Sequence, residues 1–140
     1  MAYANAIDIR PAGREDIPAV LSLWLDAAQP TSTDDVEGVG ALMERDPGAL
    51  LVAESSGRIV GTVIAGWDGW RGSVYRIAVA PDYRRDGLGR RLLDAAEERL
   101  RRLGARRMHA IVVGTDAVAV GFWEGSDWEL QSSQLRFARS

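Results

Sequence analysis

The residues with the clearest chemical signature lie in residues 73–93, where a β-branched stretch, two glycines and a leucine-rich stretch follow one another. The first stretch predicts a strand that ends at Pro81, and Arg84-x-x-Gly87-x-Gly89 then leads directly into a predicted helix. Glycines let the backbone turn with positive φ and leave room for a ligand beside the main chain. Successive N–H groups can therefore converge at the positive end of the helix dipole, where a phosphate or pyrophosphate fits best.

Few side chains outside this turn are suited to acid–base chemistry. His109 is the only histidine, a residue type that exchanges protons near neutral pH, although a lone histidine in a strand is more often structural. Tyr75, Glu54 and Asp68 are further candidates. The chain has no cysteine, and all 17 of its basic residues are arginines. Disulfides, zinc–cysteine sites, thiol nucleophiles and a lysine base are therefore excluded.

The composition fits a single soluble globular domain over residues 1–140, with 46% apolar and 26% charged residues. No apolar run reaches the length of about 18 residues that a membrane span needs. Residues 1–9 show no basic and apolar leader, so we predict no signal peptide. We therefore expect no membrane partner and a cytoplasmic location.

The arginines are concentrated in one segment. Residues 82–107 hold nine arginines against five acids, which is typical of a nucleic-acid patch. The chain as a whole carries a net charge of −3, however, and an anionic ligand at the glycine turn accounts for Arg84, Arg85, Arg90 and Arg91. We therefore predict no nucleic-acid partner, and a flat salt dependence of any residual binding would agree with that.

The N-terminal part predicts one strand and two helices. Residues 6–10 alternate weakly as a strand, and a helix from Asp16 is predicted to end at Gln29 and Pro30. Its apolar positions follow helical spacing: Ile17, Val20, Leu21, Trp24 and Ala28. Capping residues at 32–35 predict a second helix through Arg45. Glycines inside that helix predict that it is short or mobile.

The middle of the chain predicts three consecutive strands, over residues 49–54, 58–67 and 70–80. Asp68-Gly69 is a typical two-residue hairpin turn between the last two. Trp67 and Trp70 would then form a cross-strand aromatic pair. Alternatively, these tryptophans and Asp68 line one rim of an acceptor cleft.

The C-terminal part predicts a long helix over residues 88–103, with Gly104 as its stop. Its buried stripe is predicted as Leu88, Leu92, Ala96, Leu100 and Leu103. Ion pairs Glu97–Arg101 and Glu98–Arg102 are expected on its outer side. A fifth strand over residues 107–113, a helix over residues 115–125 and closing strands over residues 128–130 and 134–138 follow. The element order is βααβββαβαββ, an α/β fold with one mixed sheet and helices on both faces.

The glycine turn, with Ile77-Ala78-Val79 before it, resembles the coenzyme A signature of the GNAT N-acyltransferase superfamily. The likeness extends over the whole chain, and its pattern is similar to that of RimI-like and YpeA-like bacterial acetyltransferases. It implies acetyl-CoA as cosubstrate, with no metal, and a splayed strand pair that binds the acyl-CoA. The implied cofactor contacts are Ile77, Ala78, Val79, Arg84, Arg85, Asp86, Gly87, Leu88, Gly89, Arg90 and Asp116.

The sequence departs from the family pattern at its last helix. Asp116 stands where many members have asparagine, which keeps the helix cap but loses a donor. Trp123 stands where many have the tyrosine that protonates the leaving thiolate, and an indole cannot supply that proton near neutral pH. Ile111 stands where RimI-like members place a glutamate base. The catalytic candidates that remain are His109 and Tyr75.

The resemblance predicts an N-acetyltransferase that transfers an acetyl group to a primary amine by direct attack in a ternary complex. The acceptor would be a small-molecule amine or a peptide or protein N-terminus. The alternative is a weak or inactive GNAT domain that binds acyl-CoA as a sensor or partner module. The closing strands offer a surface for a homodimer.

Overall fold

A computed structural model describes residues 6–28 and 31–140. Five strands form one sheet in the order β1-β2-β3-β4-β5, with antiparallel pairing up to β4 and parallel pairing between β4 and β5. The strands are β1 (Ile7–Pro11), β2 (Leu50–Ser55), β3 (Arg58–Trp67), β4 (Gly72–Val79) and β5 (Met108–His109). This mixed sheet confirms the predicted α/β fold class.

The helices are α1 (Ile17–Ala27), α2 (Val36–Arg45), α3 (Leu88–Leu103) and α4 (Ala117–Glu124). Helix α1 packs on one face of the sheet, where Trp24 Nε1 donates to Thr62 Oγ1 at 2.8 Å. Helix α3 packs on the other face, where an added Cβ on Gly72 would lie 2.7 Å from Leu100. The largest buried side chains, led by Leu50, Leu88 and Leu92, lie in the layers that these helices and the sheet form.

Helix bounds were mostly predictable. The bounds of α3 match the prediction, and Gly104 ends it with φ 107°. Leu103 was wrongly placed in the buried stripe, because it is 43% exposed. Among the described residues, the ion pair between two residues of this helix is Arg90–Asp94 rather than either predicted pair, and Glu97 accepts from the Trp128 indole instead.

The two N-terminal helices also follow the prediction. Helix α2 runs through Arg45, and its cap is Asp35, whose side chain accepts from the N–H of Gly38 at 2.6 Å. In α1, Leu23 is buried and Leu21 only partly so, which shifts the predicted apolar face. The predicted stop at Gln29 and Pro30 lies outside the described residues.

The turn between β3 and β4 is not the predicted two-residue hairpin. Trp67 pairs with Gly72, so four residues form the connection. Asp68 explains this, because its carboxylate accepts the N–H groups of Trp70 at 2.8 Å and Arg71 at 2.7 Å and so closes the turn locally. Trp70 is 70% exposed, with the Arg71 guanidinium 4.1 Å from its ring centroid, and the predicted Trp67–Trp70 pair is wrong.

The C-terminal strand predictions are also wrong. The fifth strand is confined to Met108–His109, and residues 128–130 and 134–138 form no strand. Trp128 instead docks on α3, where its Nε1 donates to Glu97 Oε1 at 2.7 Å. Alternating apolar residues cannot form a strand without a partner strand, and none pairs with them in the described chain.

Within residues 6–28 and 31–140, no helix combines the length and apolar character that crossing a bilayer requires.

Candidate active site

The glycine turn leads into α3 through two residues with positive φ. Gly87 precedes the helix with φ 79°, and no atom lies within 4 Å of where its Cβ would be. Arg85 also has positive φ, at 71°. Two left-handed residues so close together curl the chain back on itself, a backbone shape that is typical of anion-binding turns.

Among the described residues, none of the N–H groups of residues 85–90 donates to a main-chain or side-chain acceptor, and pairing resumes with Arg91 N–H on Gly87 O at 3.1 Å. Unpaired amides at a helix N-terminus carry partial positive charge and bind anions. Residues 84–87 are exposed, so a phosphate can reach these groups from solvent.

The second glycine of the motif has a different function from the first. A Cβ on Gly89 would lie 3.0 Å from Cε1 of Phe122, so Gly89 faces α4. The prediction that Gly89 leaves room for a ligand is wrong, because the Phe122 ring fills that space. Gly87 therefore shapes the turn, whereas Gly89 permits close packing of α3 on α4.

The arginines of the turn have distinct contacts. Arg84 Nε donates to the carbonyl of Val79 at 3.2 Å, which ties the turn to the end of β4. Arg90 lies near Asp94 and Asp127, at 3.2 and 3.6 Å. Arg91 Nη2 donates to the carbonyl of Ile7 at 3.2 Å and so braces β1.

Strands β4 and β5 separate immediately after they meet. They pair only at Gly72 with Met108 and Ser73 with His109, so the rest of β4 has an open edge on that side. Ala80 N–H donates to Val60 O at 2.8 Å on the opposite side. Main-chain groups alternate between the two edges, so those of Val79 face the open edge.

The same alternation assigns the neighbouring residues. Ala78 pairs with Thr62 and faces β3, so the carbonyl of Ile77, which lies in the same peptide unit, faces the open edge with Val79. Of the three predicted edge residues, the structure therefore brings two to the open edge. Ala78 contributes instead by holding β4 against its neighbour.

A β-bulge that the sequence analysis does not predict interrupts β4 halfway along. Thr62 pairs with Ala78 and Ile64 with Tyr75, so Arg76 and Ile77 together face one residue of β3. Arg76 has φ 55°, in the left-handed region. The extra residue places Tyr75 and Arg76 on the same face of the sheet, toward α1. The one signal was two large polar residues in succession within a predicted strand.

The two predicted catalytic residues lie on this same face. Ser73 is two residues from Tyr75, and its Oγ lies 3.0 Å from Nε2 of His109. Partial burial, together with the negative charge of Asp46, raises the pKa of Tyr75 above its usual value. The Tyr75 phenol therefore holds its proton more tightly than a free tyrosine and stays protonated at neutral pH.

The other two candidates are less suited to this chemistry. Backbone N–H groups of Arg71 and Trp70 lower the pKa of Asp68 and engage its carboxylate within the turn. Glu54 lies on β2, where Arg10 contacts it at 3.4 Å, and two strands separate it from the open edge.

Asp116 and Trp123, the two residues at the last helix that depart from the family pattern, both make structural contacts. Asp116 caps α4, because its side chain accepts from Ala119 N–H at 3.1 Å. Trp123 packs edge-on against Phe122 and Trp128, with ring centroids 5.5 and 4.8 Å away. In the described part of the chain, no three potential ligand side chains cluster to hold a metal.

The sequence model of the acetyltransferase (GNAT) family matches residues 16–126. An acetyltransferase of Sodalis glossinidius is 30% identical over 131 residues, which cover 92% of each chain. The fold is similar to that of an aminoglycoside antibiotic 6'-N-acetyltransferase of Acinetobacter haemolyticus, with a TM-score of 0.79 and 15% identity over 95% of this chain and 98% of that one.

The PaiA N-acetyltransferase of Thermoplasma acidophilum, solved in complex with coenzyme A, gives a TM-score of 0.75 at 16% identity over 84% of this chain and 86% of its own. The family match spans most of the chain, and a relative of the same length shares almost a third of its residues. The chain therefore belongs to the acetyltransferase (GNAT) family and is an acyltransferase.

Proposed function

We propose that the protein is an N-acetyltransferase that transfers an acetyl group from acetyl-CoA to a primary amine by direct attack in a ternary complex. The observation that carries this proposal is the run of N–H groups at residues 85–90, which find no acceptor among the described residues, beside the open edge of β4. The pyrophosphate of coenzyme A fits the N–H groups, and its extended pantetheine arm fits the edge as an added strand. The coenzyme A complex of the Thermoplasma relative supports this proposal.

The predicted cofactor contacts take on distinct roles in this proposal. The turn from Arg84 to Arg90, with Asp86 and Leu88 contributing main-chain amides, holds the pyrophosphate. Ile77 and Val79 supply the edge, while Ala78, Gly89 and Asp116 support the site from behind through the strand, helix and cap contacts described above.

Acetyl-CoA supplies an activated thioester. The side chains that act on it, Tyr75 and His109, lie on the face of the sheet that packs against α1. The open edge spans six residues of β4, about 20 Å, and ends where β5 closes against Gly72 and Ser73. Tyr75 donates a proton toward the leaving sulfur, and His109 accepts one from the amine while Ser73 holds its ring. Trp123 cannot replace the tyrosine acid, since an indole N–H donates a hydrogen bond but keeps its proton.

The acceptor class follows from amine chemistry. An α-amino group with a pKa of about 7.7–8.0 is neutral in roughly one molecule in ten at pH 7, whereas a lysine-like amine is neutral in less than about one in a thousand. A single histidine is a sufficient base for the first class. We therefore favour a peptide or protein N-terminus or a small-molecule amine of low basicity.

Two measurements test the proposal in sequence. Titration calorimetry with acetyl-CoA should show one site per chain, and a mass-spectrometric screen of amines and peptides should show a gain of one acetyl group. Failure to bind acetyl-CoA would overturn the proposed site. Tight binding without product on any acceptor would favour the second candidate.

The second candidate is an acyl-CoA-binding module without significant turnover. It rests on Trp123, which packs between Phe122 and Trp128 where the family pattern has a proton-donating phenol. Trp123→Tyr distinguishes the two. Faster transfer in that variant indicates a weakened enzyme, whereas inactivity in both forms indicates a binding module.

A further inference from the structure

A second polar network lies beside the bulge of β4, and the proposed chemistry does not account for it. Arg76 Nη2 donates to both carboxylate oxygens of Asp34, at 2.6 and 2.5 Å, and to Thr31 Oγ1 at 3.1 Å. The ion pair is shielded, with side chains 13% and 17% exposed. It joins residues 31–34, which lead into α2, to the strand that carries the open edge.

The side chain and the main chain of Arg76 contact two neighbours, Trp24 and Thr62, which are hydrogen-bonded to each other. Its guanidinium lies 5.0 Å from the ring centroid of Trp24. Trp24 Nε1 donates to Thr62 Oγ1, and that hydroxyl donates to the Arg76 carbonyl at 2.9 Å. The bulge and the ion pair are therefore one structural unit.

The ion pair and the bulge together contribute little to the stability of the fold. A shielded ion pair recovers little more than the cost of its own desolvation. A non-glycine residue at φ 55° adds backbone strain, and such strain is found most often at functional sites. The location agrees with this, because Arg76 follows Tyr75 on the face where the acceptor would lie.

We propose that Arg76 is a positioning residue for the acceptor amine, acting through Asp34 and Thr31. Its guanidinium holds residues 31–34 over β4 next to Tyr75, and so fixes one wall of the acceptor site. This inference rests on the proposed function, but the anchoring of residues 31–34 can be measured without an acceptor.

The test compares hydrogen–deuterium exchange of residues 31–40 in Arg76→Ala, Asp34→Asn and wild type. Both variants should exchange this segment faster by about tenfold or more, because the segment loses its anchor. Arg76→Lys keeps the charge without the planar fork and should recover part of the protection. Coenzyme A affinity, from calorimetry, should stay within about threefold of wild type.

Arg58→Ala is the matched control. Arg58 also forms a two-point ion pair, with Asp82 at 2.9 and 3.3 Å, and lies over the ring of Tyr83 at 5.7 Å. This pair is exposed, and it joins β3 to the segment after β4 rather than to residues 31–40, so their exchange should not change. Should Arg76→Ala fail to fold, Arg76→Gln decides the question by the same measurement, because Asp34 also accepts the N–H of Thr31 at 3.1 Å and its substitution would loosen the segment locally.

With an acceptor from the screen, Arg76→Ala should raise the KM for the amine about fivefold or more and leave kcat within about threefold. Unchanged exchange in both Arg76→Ala and Asp34→Asn would overturn the inference, as would a parallel loss of coenzyme A affinity. If wild type acetylates no amine, the proposed function fails while the exchange data still decide whether Arg76 anchors the segment.

Discussion

In the proposed function, the two ends of β4 bind by different means. At its C-terminal end, the site consists of main-chain N–H groups of residues 85–90, set by left-handed Arg85 and Gly87. At its N-terminal end, the site consists of the side chains of Ser73, Tyr75 and Arg76 with His109 from β5. The C-terminal end requires only a particular backbone conformation. The N-terminal end requires particular side chains at matching positions of β4 and β5.

This difference predicts that the two ends of β4 respond differently to substitution. A backbone site for a diphosphate tolerates most side chains as long as the turn keeps its conformation. A site built from side chains on a bulged strand changes with every substitution nearby. Substitutions at the two ends should therefore have separable effects on coenzyme A affinity and on turnover.

The largest effect is expected for Gly87→Val compared with Gly57→Val. Gly57 has φ 80° against 79° for Gly87, and neither has an atom within 4 Å of its Cβ position. Both variants should therefore lose a similar free energy of unfolding, about 1–2 kcal/mol. Only Gly87→Val should weaken coenzyme A binding, by about 100-fold or about 2.7 kcal/mol.

Titration calorimetry and urea unfolding on both proteins check this pair. Equal loss of coenzyme A affinity in Gly57→Val, or none in Gly87→Val, would remove the distinction between the turn and other glycines.

The next effect is expected at the other end of the strand. Tyr75→Phe removes the proposed acid and should lower kcat by about 30-fold, since release of an unprotonated thiolate costs about 2 kcal/mol at pH 7. Coenzyme A affinity should not change. Because burial and Asp46 raise the pKa of Tyr75, the wild-type activity should not fall with rising pH until the pH exceeds 10, the ordinary tyrosine value.

Steady-state kinetics across pH measure this, with Tyr83→Phe as control. The Tyr83 phenol donates to Ser55 Oγ at 3.2 Å, away from β4, so its loss should leave kcat unchanged. An unaltered kcat in Tyr75→Phe would exclude the phenol as the acid.

The third prediction concerns Asp16, which lies outside both ends of β4 and affects stability rather than binding. Arg10 donates to both Asp16 oxygens, at 2.7 and 3.1 Å, and this bond lowers the pKa of that carboxyl below its ordinary 3.8. The carboxylate therefore stabilises the fold above about pH 4, and this stabilisation is lost as the pH falls through the lower folded-state pKa.

Asp16→Asn should cost about 1.5 kcal/mol at pH 7 and less in acid, with coenzyme A affinity unchanged. Urea unfolding at several pH values gives the comparison. A loss that stays constant as the pH falls would contradict the assignment of this pKa.

The smallest effect is expected for Gly89→Ala. The added Cβ would lie 3.0 Å from the Phe122 ring, so α4 must shift slightly, at a cost of about 1 kcal/mol. Coenzyme A affinity should stay within about threefold, because this glycine faces the protein and not the ligand. Thermal unfolding and calorimetry test both parts, and a loss of affinity as large as that of Gly87→Val would place a ligand beside Gly89 after all.

The sequence predicted features that local signals determine. Helix α3 begins after Gly87 and ends at Gly104 as expected, since a leucine period and two glycines define it without help from the rest of the chain. The glycine turn was predictable for the same reason.

Features that depend on distant partners were not predictable. The bulge at Arg76 depends on contacts with Trp24, Thr62 and Asp34, none of which is near in sequence. Residues 134–138 alternate like a strand, but a strand needs a neighbour. Phe122 fills the space beside Gly89, and only the packing of two helices shows it.

The measurement that tests the central claim most directly is a titration of the 15N-labelled protein with coenzyme A, followed by amide NMR shifts. The amides of residues 85–90 should move downfield the most as they gain an acceptor, with smaller shifts at Ile77 and Val79. Saturable binding that leaves those six amides unshifted, or no binding at all, would contradict a main-chain diphosphate site at the start of α3.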